Sequence, residues 1–188
     1  MVSSISEFLD VLSENNDDSS LIYSYRGHSK TSYKLQPSVF RALYARKSER
    51  NIIRELITMH PDEFRSDVST LEILVRMQHF SLPTRLLDVT LNPLSALFFA
   101  CKENFERDGQ VVQIAASNKI LKYYDSDAVS CVANLSHLNG RLRNTLRQIS
   151  QSSLNKIEAG KQLLHYIKRE KSYFCQIFKR VICRAYFS

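Results

Sequence analysis

Residues 77–101 read "MQHFSLPTRLLDVTLNPLSALFFAC". Gln78, His79, Arg85, Asp88 and Asn92 are set among apolar residues, where a polar group costs free energy unless it is paired. Either these side chains satisfy one another and segments elsewhere in the chain, or a ligand satisfies them. Asn92-Pro93 is a strong helix start, an N-cap side chain followed by Pro at the first helical position. Leu94, Leu97, Phe98 and Cys101 then share one helical face, which predicts that they and the adjacent aromatics belong to the core. Upstream, Ser69-Thr70-Leu71-Glu72 is a capping box opening a helix that runs to about Phe80. The residue before Pro83 is driven out of the α region, so "SLPT" ends that helix. "RLLDVT" is short and extended, or a tight turn.

Working outward, Ser4-Ile5-Ser6-Glu7 is another capping box, with Ile5, Phe8, Leu9 and Leu12 on one face. "LIYSYRG" (Leu21–Gly27) is a strand rich in β-formers, and "GQVVQIAAS" is a second strand. A helix is expected from Pro37, and "SERNIIRELITMH" is amphipathic up to Pro61. "SHLNGRLRNTLRQIS" and "SSLNKIEAGKQLLHYIKREK" predict two further helices. "FKRVICRAYFS" reads as a closing strand. Few strands among several helices predict an α+β fold: a small sheet packed with helices in a single domain over residues 1–188.

The 188 residues are 44% hydrophobic and 24% charged, a globular rather than a disordered composition. No apolar run is long enough to span a membrane, and no basic-then-apolar leader opens the chain, so no membrane partner and a cytoplasmic location are expected. Cys101, Cys131, Cys175 and Cys183 form no C-x-x-C, and no H-x-x-x-H occurs. Reduced structural thiols and no metal site are therefore expected. Charge is uneven. Residues 138–188 hold eleven Lys and Arg against Glu158 and Glu170, a balance of +9, whereas the first 137 residues hold fifteen against seventeen, a balance of −2. The basic helical part, about 136–188, is either a solvated face or, over Arg141–Arg180, a contact for nucleic acid or another acidic partner.

Tyr25-Arg26-Gly27 together with Gln78–Cys101 resembles the FRG domain, a bacterial and phage family named for Phe-Arg-Gly, here with Tyr in the Phe place. The second stretch is similar to the family's long signature, Gln-His-aromatic leading to Pro-Thr-Arg-Leu-Leu-Asp and then Asn-Pro-Leu-x-Ala. The resemblance covers roughly 21–116 and fades in the basic third. Members occur in mobile elements, which implies a toxin or anti-phage role. The family's further Asn-x-Arg-Ile…Gln-x-Gly-Ala-Phe segment has no counterpart here, which implies a shortened or inactive homologue as one alternative.

The residues allow two readings. In the first, Arg26, His79 and Asp88 are catalytic. Arg26 presents a planar fork to an anion, Gly27 lets a ligand approach the backbone, and His79 acts near neutral pH as acid or base. Tyr25, Gln78, Arg85 and Asn92 line the ligand, with Asp88 orienting a guanidinium. These parts suit a nucleotide and at one remove resemble an ADP-ribosyltransferase, with NAD as the cofactor or substrate cleaved. Glu103, Glu106 or Asp88 would then stabilise the oxocarbenium-like state. In the second reading the same groups are a structural lock: Arg26 or Arg85 pairs with Asp88, Asn92 caps a helix, and Tyr25 is core. The protein is then a non-catalytic nucleic-acid or protein-binding module.

Overall fold

The structure is a computed structural model describing residues 2–15, 18–41, 43–149 and 153–175, with the side chains of all but 15 and 43–48. Among the described residues there are eight α-helices and one two-stranded antiparallel sheet, so the fold is α+β. The expected strand at 178–188 lies outside the described residues. No helix among them is long and apolar enough to cross a membrane. The chain divides into two compact units, Met1–Leu35 with Asp88–Leu121, and Gln36–Leu87 with Lys122–Ser188.

The first unit contains α1 (Ile5–Asn15), β1 (Leu21–His28), a helix at Pro93–Cys101 and β2 (Gln110–Ser117). β1 and β2 pair in register from Leu21 opposite Ser117 to His28 opposite Gln110. On its other edge β1 exchanges both backbone hydrogen bonds between Tyr25 and Thr90, at 2.7 and 2.9 Å. That bridge gives the extended "DVT" segment its place. Phe8 and Leu12 of α1 bury against Tyr25 and Ala96, with Tyr23, Leu97 and Val111 around them.

Packing against the sheet inverts one expectation. The Pro93–Cys101 helix buries Ala96 and Ala100, one turn apart, while Leu94, Phe98 and Phe99 are 46, 59 and 55% exposed and Cys101 is exposed. Helical periodicity identifies faces but not which of them a neighbour selects. Here the neighbour is Gly27, where a Cβ would lie 1.9 Å from the Ala96 carbonyl oxygen and 2.7 Å from the Ala100 nitrogen. The strand and the helix touch backbone to backbone, and only a small-residue face permits that approach.

The second unit is helical. In chain order it holds α2 (Ser38–Arg41), α3 (Leu43–Met59), α4 (Thr70–His79), then, after α5 (the Pro93–Cys101 helix of the first unit), α6 (Asp127–Asn134), α7 (Gly140–Gln148) and α8 (Glu158–Glu170). A 3-10 turn at Leu135–His137 follows α6. Ser69 closes both halves of its capping box on α4. The other end of α4 stops by a different device from the one expected. Ser81 takes a left-handed φ of 58°. Its N–H reaches the Gln78 carbonyl at 2.9 Å, and that of Leu82 reaches Met77 at 3.1 Å, closing a Schellman motif ahead of Pro83.

Leu82 and Met77 join Ile53, Leu56, Phe64 and Leu74 in one core. A second core is built from Leu135, Leu138, Leu146, Leu163 and Ile167. Ser126 caps α6 by accepting from Val129 N–H at 3.4 Å.

Candidate functional site

Within the first unit, strand alternation places Tyr25 and Gly27 on the face towards α5 and Arg26 on the opposite face. Tyr25 is 3% exposed and belongs to the core. Arg26 Nη1 donates to the main-chain carbonyl of Asp88, tying β1 to the segment that enters α5. That hydrogen bond is to the Asp88 backbone, and Asp88 is exposed. Asn92 Oδ1 accepts from Leu94 and Ser95 N–H at 3.0 and 3.4 Å, capping α5. Gly27 admits the helix.

Gln78, His79 and Arg85 fall in the second unit. Arg85 pairs with Glu49 rather than with Asp88: its Nε and Nη2 donate to the two carboxylate oxygens at 3.1 and 2.5 Å. Arg143 Nη1 donates to the same Glu49 carboxylate at 2.7 Å. Glu49 is 1% exposed, and both guanidinium side chains are nine-tenths or more buried. One carboxylate therefore answers two buried cations. Gln78 Nε2 approaches the Leu86 carbonyl at 3.5 Å. His79 is exposed and lines a cleft of about 660 Å³ with Phe80, Tyr124, Glu63, Glu72 and the Arg76–Asp67 pair. Arg76 is committed: its Nε and Nη2 donate to Asp67 at 2.8 and 2.7 Å. Three acids, Glu63, Asp67 and Glu72, and one cation, Arg76, line that cleft. A second cavity, about 580 Å³, lies beside Lys30 and Arg107 in the first unit. Arg26, Asp88 and Asn92 line neither cleft.

A family model of the FRG domain matches residues 22–109. The chain carries an FRG domain. Comparison with curated proteins and comparison with solved structures gave no match. The FRG match takes in Tyr25-Arg26-Gly27 and the whole of Gln78–Cys101. Four of these FRG residues thus have fold-forming contacts: Arg26 ties strand to loop, Gly27 admits α5, Arg85 neutralises a buried acid, and Asn92 caps a helix.

A polar network that motif reading missed joins Thr70, inside the FRG match, to residues beyond it. Thr70 Oγ1 stands 3.0 Å from Asn134 Oδ1 and 3.2 Å from His137 Nε2. Glu170 accepts from Thr70 N–H at 2.6 Å and from Asn134 Nδ2 at 2.9 Å. Burial, then the positive charges of Arg169, Arg85, Arg54 and Arg50, push His137 down to about 4, so its ring is neutral at physiological pH. Burial also pushes the Cys131 thiol up to about 12, leaving it unreactive. The signal for Glu49 was present: Ile52, Ile53 and Leu56 follow it by three, four and seven residues, which puts the acid on the apolar face.

The solvent face of this unit is basic. α8 buries Ala159, Gly160, Leu163 and Ile167 and turns Lys161, His165, Lys168 and Arg169 outward, at helical spacings of four, seven and eight. Arg141 and Arg147 of α7 are exposed as well, whereas Arg143 is not.

Proposed function

We propose that this FRG-domain protein is a non-catalytic module that binds the phosphate backbone of nucleic acid through the helical surface of α7 and α8. The observation that carries the reading is the outward stripe of Lys161, Lys168 and Arg169 on α8, with Arg141 and Arg147 on α7, in a segment whose acids are Glu158 and Glu170. Counterion release makes such a surface a phosphate-backbone binder without base readout. The commitment of Gly27, Arg85 and Asn92 to the fold supports the absence of a reaction centre.

Fluorescence anisotropy of labelled single-stranded RNA and duplex DNA across a salt series tests this. Affinity is expected to fall steeply with salt, and Arg141→Glu with Arg147→Glu is expected to abolish retention. Flat salt dependence, or full retention by the double variant, refutes the proposal. Arg143 is kept out of the test because its reversal would set a second carboxylate against the buried Glu49.

A second reading keeps a nucleotide such as NAD, and with it the toxin or anti-phage role implied by the resemblance. It is favoured by exposed His79 beside Phe80 and Tyr124 in the larger cleft. Expression of wild type, Arg26→Ala and His79→Ala in bacteria, scoring growth and NAD level, separates it. Slowed growth and NAD loss that His79→Ala abolishes would favour this reading over the binding module.

A further inference from the structure

We propose that Arg50, Arg54 and Arg169 form a discrete phosphate-group subsite beside the buried Glu49 ion pair. The inference rests on the polyanion reading above and specifies where on the helical unit one phosphate is held.

Charge balance is the first argument. Glu49 is shared between Arg85 and Arg143, so that buried group already carries an excess positive charge. Glu170 is engaged by Thr70 N–H and Asn134 Nδ2. The positive charges of Arg169, Arg85, Arg54 and Arg50 all act on His137. Like charges gathered on one side of a structure repel one another, and a bound anion relieves that repulsion.

The second argument is an unanswered donor. Arg50 Nε is buried and has no hydrogen-bond partner among the described residues. A buried donor in that state lacks an acceptor. Arg54 lies one turn further along α3 on the same side, and it is exposed. Arg169 is exposed in the last turn of α8. Both helices pack on the 3-10 turn that carries His137, and the charges of Arg50, Arg54 and Arg169 all act on its ring. A tetrahedral oxyanion offers acceptors to several guanidiniums at once, and Arg forks match it.

The phosphate could come from a nucleic-acid backbone or from a free phosphate compound, and the experiment has an arm for each. Melting temperatures of the full chain are recorded in inorganic phosphate, in pyrophosphate and in chloride of equal ionic strength, for wild type and for Arg54→Ala with Arg169→Ala. Both altered residues are exposed, so the double variant is expected to fold, and its midpoint in chloride serves as its own baseline. Phosphate is expected to raise the wild-type midpoint above its chloride value and to leave the double variant unmoved. No phosphate-specific shift in wild type, or an undiminished shift in the double variant, overturns the subsite. In the second arm, RNA affinity is expected to drop roughly tenfold in the double variant. If RNA binds, is lost on Arg141→Glu with Arg147→Glu, and is unchanged by the double alanine variant, the subsite fails and the polyanion surface stands. If no RNA binds at any salt while the phosphate shift persists, the surface fails and the subsite stands as a free-phosphate site.

Discussion

Gly27→Ala is the sharpest perturbation the fold offers. The added methyl would meet the Ala96 carbonyl oxygen at 1.9 Å and the Ala100 nitrogen at 2.7 Å, both backbone atoms that no rotamer change can move aside. Ordinary contact needs about 3.4 Å, so α5 must lift from β1 by roughly 1.5 Å, a gap that forfeits much of the dispersion attraction across that face. Overpacking of this kind costs about 1–3 kcal/mol, and separation of Ala96 from Tyr25, Phe8 and Leu12 places the expected loss at the upper end, about 3 kcal/mol. Gly140→Ala is the control. A Cβ there has no neighbour within 4 Å, and the first turn of α7 gains roughly 0.5–1 kcal/mol from Ala. Equilibrium urea unfolding followed by far-ultraviolet circular dichroism measures both. A Gly27→Ala midpoint within about 0.5 kcal/mol of wild type would refute the argument that this glycine serves helix approach.

Other outcomes follow from the second unit. The folded-state pKa of His137 is depressed to about 4 from 6.5, so its contribution is fully present above 6.5 and is lost as pH falls towards 4. Wild type should lose about 2 kcal/mol between pH 8 and pH 5 from this group, and His137→Gln should flatten that slope, as urea midpoints across the pH range would show. An unchanged slope in His137→Gln contradicts the neutral buried ring. Ser81→Gly relieves the left-handed φ of 58° and should stabilise by about 0.5–1 kcal/mol in thermal melts. A loss of stability would mean that the Ser81 side chain has a role beyond its backbone.

Much of this fold was legible because its signals are local. The capping box at Ser69, the Asn92-Pro93 helix start and the β-rich "LIYSYRG" each act within a few residues, and the structure has α4, α5 and β1 where those signals fall. What escaped depends on distant partners. Arg85 and Asp88 are three apart and suggest a pair, yet the counter-ion of Arg85 is 36 residues upstream. The exposure of Phe98 and Phe99 followed from a glycine some seventy residues earlier in the chain, and no periodicity within α5 could reveal it. α6 begins at a lone Ser126 cap and carries small residues whose burial comes from α4 and α8. Arg26 was recognised as distinctive, but its acceptor is a backbone carbonyl, which sequence reading cannot single out.

The central claim is that the FRG signature here holds a fold together, and Arg85→Ala tests it most directly. The substitution leaves Glu49, 1% exposed, with Arg143 alone and removes two charge-assisted hydrogen bonds, a loss of about 1.5–3 kcal/mol. Urea unfolding of Arg85→Ala should show a loss of that size. A variant as stable as wild type that has lost ligand binding or toxicity would contradict the account and return Arg85 to a functional site.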